Sequence, residues 1–149
     1  MFDNFLVRSD SLKNDYVDGK AVGFSFGIRN ANYRGIFLSL VNTFYVGMDG
    51  EMFDHDDFTV EVNGKAPRTL EEIKHAGFEH WNMQDEAILH VRKEGGLKKG
   101  MHHLEYMPST LDAYGYQKTD KEWVSNPPKA GQRGGGKIFR VCKFDLELQ

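Results

Sequence analysis

Three Asx-Gly pairs constrain this chain more than any other feature: Asp18-Gly19, Asp49-Gly50 and Asn63-Gly64. Glycine enters left-handed backbone freely and Asp or Asn tolerate it, so such pairs close tight turns between strands. Asn63-Gly64 is the strongest short hairpin signal of the three. The runs between them have strand texture. In Ala21 to Arg29, Val22, Phe24, Phe26 and Ile28 fall on one face, and Gly23, Ser25, Gly27 and Arg29 on the other. Small residues on that second face leave room for another backbone or sheet to approach. Ile36 to Val41 is apolar except for Ser39, and Thr43 to Met48 is rich in β-branched and aromatic residues. Together they predict a buried strand, a short break, a second strand and the Asp49-Gly50 turn.

Phe58 to Val62 alternates in the same way, and Ala87 to Val91 and His102 to Tyr106 read as further strands. Phe5-Leu6-Val7 suits an edge strand or a segment packed under the sheet. Thr69-Leu70-Glu71-Glu72 is a capping box, which predicts a helix of about two turns through Ile73 and Ala76 that Gly77 stops. Trp81 lies in the connection after it. From Met107 to Lys137 periodicity is lost among Pro108, Pro127-Pro128, Gly131 and Gly134 to Gly136. So long an irregular loop inside a compact domain is functional or disordered, and Tyr114, Tyr116 and Trp123 favour an ordered lid or docking loop. The chain closes with Ile138 to Leu148, where Arg140, Cys142, Phe144, Leu146 and Leu148 share a face. The expected fold is all-β: one domain over residues 1–149, a β-sandwich of jelly-roll type with one short helix and an irregular loop at about 107–137.

A length of 149 residues suffices for one well-filled core. The net charge of −3 is small and the basic residues are scattered, which argues against nucleic acid as a partner. No stretch approaches the ~20 apolar residues of a membrane span, and Met1-Phe2-Asp3-Asn4-Phe5 is not a secretory signal. A cytoplasmic protein is expected. Eleven Phe and six Tyr are a heavy aromatic load for a β-rich chain; core packing is the default use, with some rings expected at an interface or ligand site. The lone Cys142 excludes an intramolecular disulfide and reads as a small buried hydrophobe rather than a nucleophile.

No local pattern announces catalysis. His102 and His103 are neighbours on a strand and must leave on opposite faces, a helix stop separates His75 from His80, and there is no His-x-His. Asp54, Asp56 and Asp57 lack the Gly and distal Glu of a calcium loop and read as a solvated turn. Gly134-Gly135-Gly136-Lys137 has a strand after it where a phosphate-binding loop needs a helix. Ser39 has no Gly-x-Ser-x-Gly context. No catalytic residue, metal ligand or cofactor is assigned to this chain.

Four segments carry a resemblance: Asp10 to Asn14, Gly23-Phe24-Ser25-Phe26, Tyr33-Arg34-Gly35-Ile36-Phe37-Leu38-Ser39-Leu40-Val41, and Asp49-Gly50-Glu51. In these the chain resembles the small beta subunit of bacterial C-glycoside deglycosidases, most closely from about Ser9 to Glu51. The resemblance implies a partner alpha subunit, a TIM barrel similar to sugar-phosphate isomerases and epimerases, which carries a divalent metal, typically manganese, and the acid–base residues. It implies cleavage of the carbon–carbon bond between a 3-keto sugar and an aromatic, flavonoid-type aglycone: the 3-keto group acidifies the C2 proton, its removal gives an enediolate, and the aglycone leaves by elimination. This chain would then be the accessory subunit of a lyase, inactive alone, with a sheet that docks the barrel and loops that wall the pocket. Tyr33 and Arg34 are the first candidates for pocket or interface contacts, and Tyr106, Met107 and Pro108 the second. Two other classes stay open. A carbohydrate-binding module would stack Trp81, Tyr114, Tyr116 and Trp123 on sugar faces, and a self-sufficient jelly-roll metalloenzyme would hold its own ion.

Overall fold

The computed structural model describes residues 6–30, 35–82, 84–110, 137–138 and 142–149. Tight turns organise it as the Asx-Gly pairs predict. Asp18-Gly19 joins β1 (Lys13–Val17) to β2 (Lys20–Ile28), and Asp49-Gly50 joins β4 (Val41–Met48) to β5 (Glu51–Phe53). Both residues of each pair have positive φ, 52° and 79° in the first and 53° and 86° in the second. That is the twist a two-residue hairpin requires. Asn63-Gly64 also turns left-handed, but β6 (Phe58–Glu61) and β7 (Arg68–Thr69) resume pairing only at Val60 and Arg68, so its loop is longer.

Two five-stranded antiparallel sheets result. One runs β1-β2-β9-β6-β7, with β9 at Ala87–Arg92; the other runs β11-β10-β4-β5, with β12 also paired to β10. Here β10 is Gly100–Thr110, β11 Lys137–Ile138 and β12 Cys142–Leu148. A two-stranded ribbon pairs β3 (Ile36–Phe37) with β8 (His80–Trp81). The jelly-roll winding is not confirmed. The orders β1-β2-β9-β6 and β12-β10-β4-β5 are instead those of the ABED and GFCC′ sheets of immunoglobulin-type sandwiches. That likeness concerns architecture alone.

The sheets share one apolar cluster. Phe24 meets Phe53 edge-on at 5.4 Å, Phe26 meets Tyr106 edge-on at 5.8 Å, and Phe44 stacks on Tyr106 at 6.0 Å while meeting Phe58 at 6.2 Å. With Phe24 also stacked on Phe26 at 6.3 Å, six rings form one connected chain through the sandwich, worth roughly 0.5–1.5 kcal/mol per pair beyond their buried area. Cys142 lies in this cluster as a buried side chain.

Three segments depart from the sequence expectation. Ile36 to Val41 is not one strand: Leu38–Leu40 is a 3-10 turn, closed by the Val41 N–H on the Leu38 carbonyl. Ile36 and Leu38 are both buried, and a run apolar throughout has no period to distinguish strand from turn. β1, with no apolar alternation, is held by pairing to β2 and by Asn14, whose amide exchanges hydrogen bonds of 2.8 and 2.9 Å with the Leu97 backbone. β10 does not stop at Tyr106 but continues to Thr110 against β4. Pro108 lies within this stretch, opposite Phe44 of β4.

The capping box forms as expected. Glu72 N–H donates to Thr69 Oγ1 at 3.1 Å and Thr69 N–H to Glu72 Oε1 at 2.9 Å, opening α1 (Leu70–Ile73). The helix is one turn long, continued by turn hydrogen bonds to Ala76, and it buries Leu70 and Ile73.

Candidate functional site

A polar cluster sits on the outer face of the first sheet. Lys13, Ser25, His90, Thr59 and Thr69 are successive register partners across β1, β2, β9, β6 and β7. Period-two alternation turns them away from the core, and Asp15 and Glu61, two residues along, share their face. His90 bridges the two acids: Nδ1 lies 2.8 Å from Asp15 Oδ2 and Nε2 2.9 Å from Glu61 Oε1. Ser25 Oγ donates to Asp15 Oδ1 at 3.0 Å. The Asp15 hydrogen bond raises the His90 pKa above its ordinary value, Glu61 adding to this against the opposing effect of burial. Burial pushes Asp15 upward, but the His90 hydrogen bond and charge, with Ser25, outweigh it and lower its pKa.

Serine, histidine and acid invite comparison with a hydrolase triad, and the wiring answers it. Ser25 bonds the carboxylate rather than the imidazole, it is fully buried, and both imidazole nitrogens are occupied. No base is placed to activate the hydroxyl. The two acids stand at opposite ends of the ring, so the three groups do not converge on a point where an ion could sit. Among the described residues no group of three or more His, Cys, Asp or Glu is arranged to hold a metal. The cluster ties β1, β2, β9 and β6 together.

Above it lies a groove of about 880 Å³ whose lining includes Asp15, Tyr16, Val22, Thr59, His90 and Arg92. A smaller cavity of about 390 Å³, lined by His55, Phe58 and Leu70, shares Asp56 and Thr69 with the groove. His55 behaves opposite to His90: burial lowers its pKa, and its Nδ1 lies 3.0 Å from Thr43 Oγ1. Asp54 and Asp57 cap the 3-10 turn His55–Asp57, and Arg92 donates to Asp57 at 3.0 Å. His102 and His103 do leave on opposite faces. His102 is buried between Asp49 Oδ2 at 2.5 Å and the Lys98 carbonyl at 2.6 Å, while exposed His103 bonds Asp145.

Tyr33 and Arg34 lie outside the described residues, as do Tyr114, Tyr116 and Trp123. Tyr106 is wholly inside the sandwich, its hydroxyl without a partner among the described residues, and burial pushes its pKa well up. Met107 and Pro108 are buried on β10, paired with Tyr45 and Phe44. Trp81 is 2% exposed and its indole donates to the Asp85 carbonyl at 2.7 Å, so it offers no ring face for stacking on a sugar.

The β3–β8 ribbon, which begins two residues after Arg34 in the sequence, presents aromatics instead. Ile36, Leu38 and Trp81 point inward; Phe37 is half exposed, edge-on to His80 at 5.4 Å, and Phe78 is fully exposed. Between Phe78 and His80, Glu79 anchors the ribbon. Arg68 grips it with both terminal nitrogens at 2.9 and 2.7 Å, and Lys65 and Asn63 add bonds of 2.7 and 2.9 Å. The hydrogen bonds from Arg68, then those from Lys65 and Asn63, hold the Glu79 pKa far below the carboxylate range despite burial. Sequence reasoning missed Phe37, Phe78 and the His90 cluster. The Asp15–His90 contact spans 75 residues, and alternation alone does not say which strands lie side by side.

Fold and wiring define an antiparallel two-sheet sandwich whose polar clusters act as ties between strands. The chain belongs to the C-glycoside deglycosidase beta subunit family, whose model matches residues 2–114. A C-glycoside deglycosidase beta subunit from Eubacterium cellulosolvens is 34% identical over 96 residues, 64% of this chain and 63% of that protein. The aligned part thus covers less than two thirds of that relative's length.

Proposed function

We propose that this chain is the accessory beta subunit of a heteromeric, cytoplasmic C-glycoside deglycosidase, a lyase that cleaves the carbon–carbon bond between a 3-keto sugar and a flavonoid-type aglycone. The partner is a TIM-barrel alpha subunit of the isomerase/epimerase type that carries the acid–base residues. A divalent metal on that partner, manganese in this reading, supplies the Lewis acid. A ketone at C3 makes the C2 proton removable, and the resulting enediolate expels the aglycone once its ring carbon is protonated. This chain's share is to complete the pocket wall and hold the barrel.

The observation that carries the docking role is the braced ribbon. Phe37 on the ribbon and Phe78 just before its second strand are exposed to solvent, on a support fixed by Glu79 and Arg68. A fully exposed Phe forgoes roughly 1.5–3 kcal/mol that burial would return, and aromatic residues on rigid supports dominate the energetics of subunit interfaces. The test is co-expression with the barrel subunit followed by size-exclusion chromatography and turnover of a 3-keto C-glycoside. The double variant Phe37→Ser/Phe78→Ser is expected to stay folded and to leave the complex, with loss of activity. Turnover by this chain alone, or an undiminished complex with both aromatics replaced, would overturn the reading.

A further inference from the structure

We propose that the outer groove above His90 is a second, non-catalytic binding site for a neutral polyhydroxylated ring bearing a flat apolar group, that is, an aryl glycoside. At about 880 Å³ it falls within the range of small-molecule sites. Six large hydrophobic residues are exposed among the described residues, and three of them, Tyr16, Val17 and Val22, line this groove at 63%, 57% and 37% exposure. They form an apolar wall along the β1–β2 hairpin, opposite polar groups that include Thr59 and Asp57.

Charge selects the ligand class. With His90 protonated, three cations line the groove (Lys13, His90 and Arg92) against three anions (Asp15, Asp56 and Asp57). His90 is already shared between Asp15 and Glu61, and Arg92 is bonded to Asp57. Lys13 lies close enough to Asp15 to interact with its charge, so none of the three cations stands clear of an acid for a phosphate or carboxylate, and a cationic ligand would meet Lys13 and His90. Such a surface offers directional donors and acceptors whose charges are largely paired, which suits hydroxyl groups. The floor is preorganised because His90, locked at both nitrogens, ties β1, β9 and β6, so little ordering cost falls on binding. The aromatic face of Tyr16 is placed to pack on a sugar C–H face or on the aglycone. The choice of an aryl glycoside over other neutral polyols rests on the proposed function.

The test titrates the isotope-labelled full chain with a flavone C-glucoside, with glucose and the free flavone as separate arms, and follows amide shifts. Saturable sub-millimolar binding is expected, with shifts centred on residues 13–17, 22–23, 57–59 and 90–92. Tyr16→Ala and Val22→Asp should each weaken it by about tenfold or more without moving the unfolding midpoint, and Phe78→Ser should leave it unchanged. Absence of saturation, shifts centred elsewhere, an unaffected Tyr16→Ala variant, or equal binding of glucose or flavone alone would overturn the site. An active complex whose beta subunit fails this titration removes the groove and leaves the proposed function standing. Groove binding in a chain that supports no deglycosidase turnover does the reverse.

Discussion

The two faces of the first sheet are built on different physics. Inward, Phe24 and Phe26 of β2 join Leu89 and Val91 of β9 in a dry aromatic core where shape decides. Outward, Ser25 and His90 of the same strands join Asp15 and Glu61 in a hydrogen-bonded network where charge decides. Adjacent residues of the same strands thus carry both an almost pH-independent core and a pH-dependent tie. The difference explains how a face can be wet enough to bind a ligand and still be stiff.

The largest effect expected from breaking this contrast is on the inner face. Phe26→Ala, which empties the place against Tyr106, should cost about 3–5 kcal/mol in chemical unfolding; a loss under about 1 kcal/mol would show that the rings are not interlocked. Glu79→Gln removes the carboxylate that Arg68 grips and should cost about 2–3 kcal/mol at neutral pH. The sign of its pH dependence follows from a depressed folded pKa. Glu79 stabilises above the unfolded value near 4.5, and that stability is lost as pH falls below it, so the variant should flatten the acid limb.

The outer face predicts the opposite slope. The folded pKa of His90 is raised above the unfolded value near 6.5. Its stabilisation is therefore complete below about pH 6.5 and is lost as pH rises through the folded value. His90→Gln should cost about 1–2 kcal/mol at pH 6 and less at pH 9, measured by urea unfolding at both. An equal cost at both would mean that the imidazole bridges the acids uncharged. A smaller effect, of opposite sign, sharpens the inner face: Tyr106→Phe deletes a buried hydroxyl with no described partner and should be neutral or stabilising by up to about 1 kcal/mol. Least of all, Arg92→Ala at the exposed end of the network should change stability by no more than about 0.5 kcal/mol.

Much of this was legible in the residues. The Asx-Gly turns, the β2 alternation, the Thr69 capping box, the inward face of β12 and the buried Cys142 are local patterns that the structure reproduces. The misses have equally local causes. Pro108 read as a breaker because a proline cannot donate, yet it lies inside β10, opposite Phe44 of β4. Trp81 read as part of a connection, and is buried through a ribbon too short to show a period.

By itself, the amino-acid order determined where the backbone must reverse and which side of each long strand turns inward, because φ preference and side-chain alternation act within a few residues. Only the tertiary structure decided which strand lies beside which: β2 next to β9, Asp15 and Glu61 on either side of His90, Phe78 left in solvent. Those outcomes depend on contacts between segments dozens of residues apart, chosen by the packing of the whole core, which no short window of sequence contains.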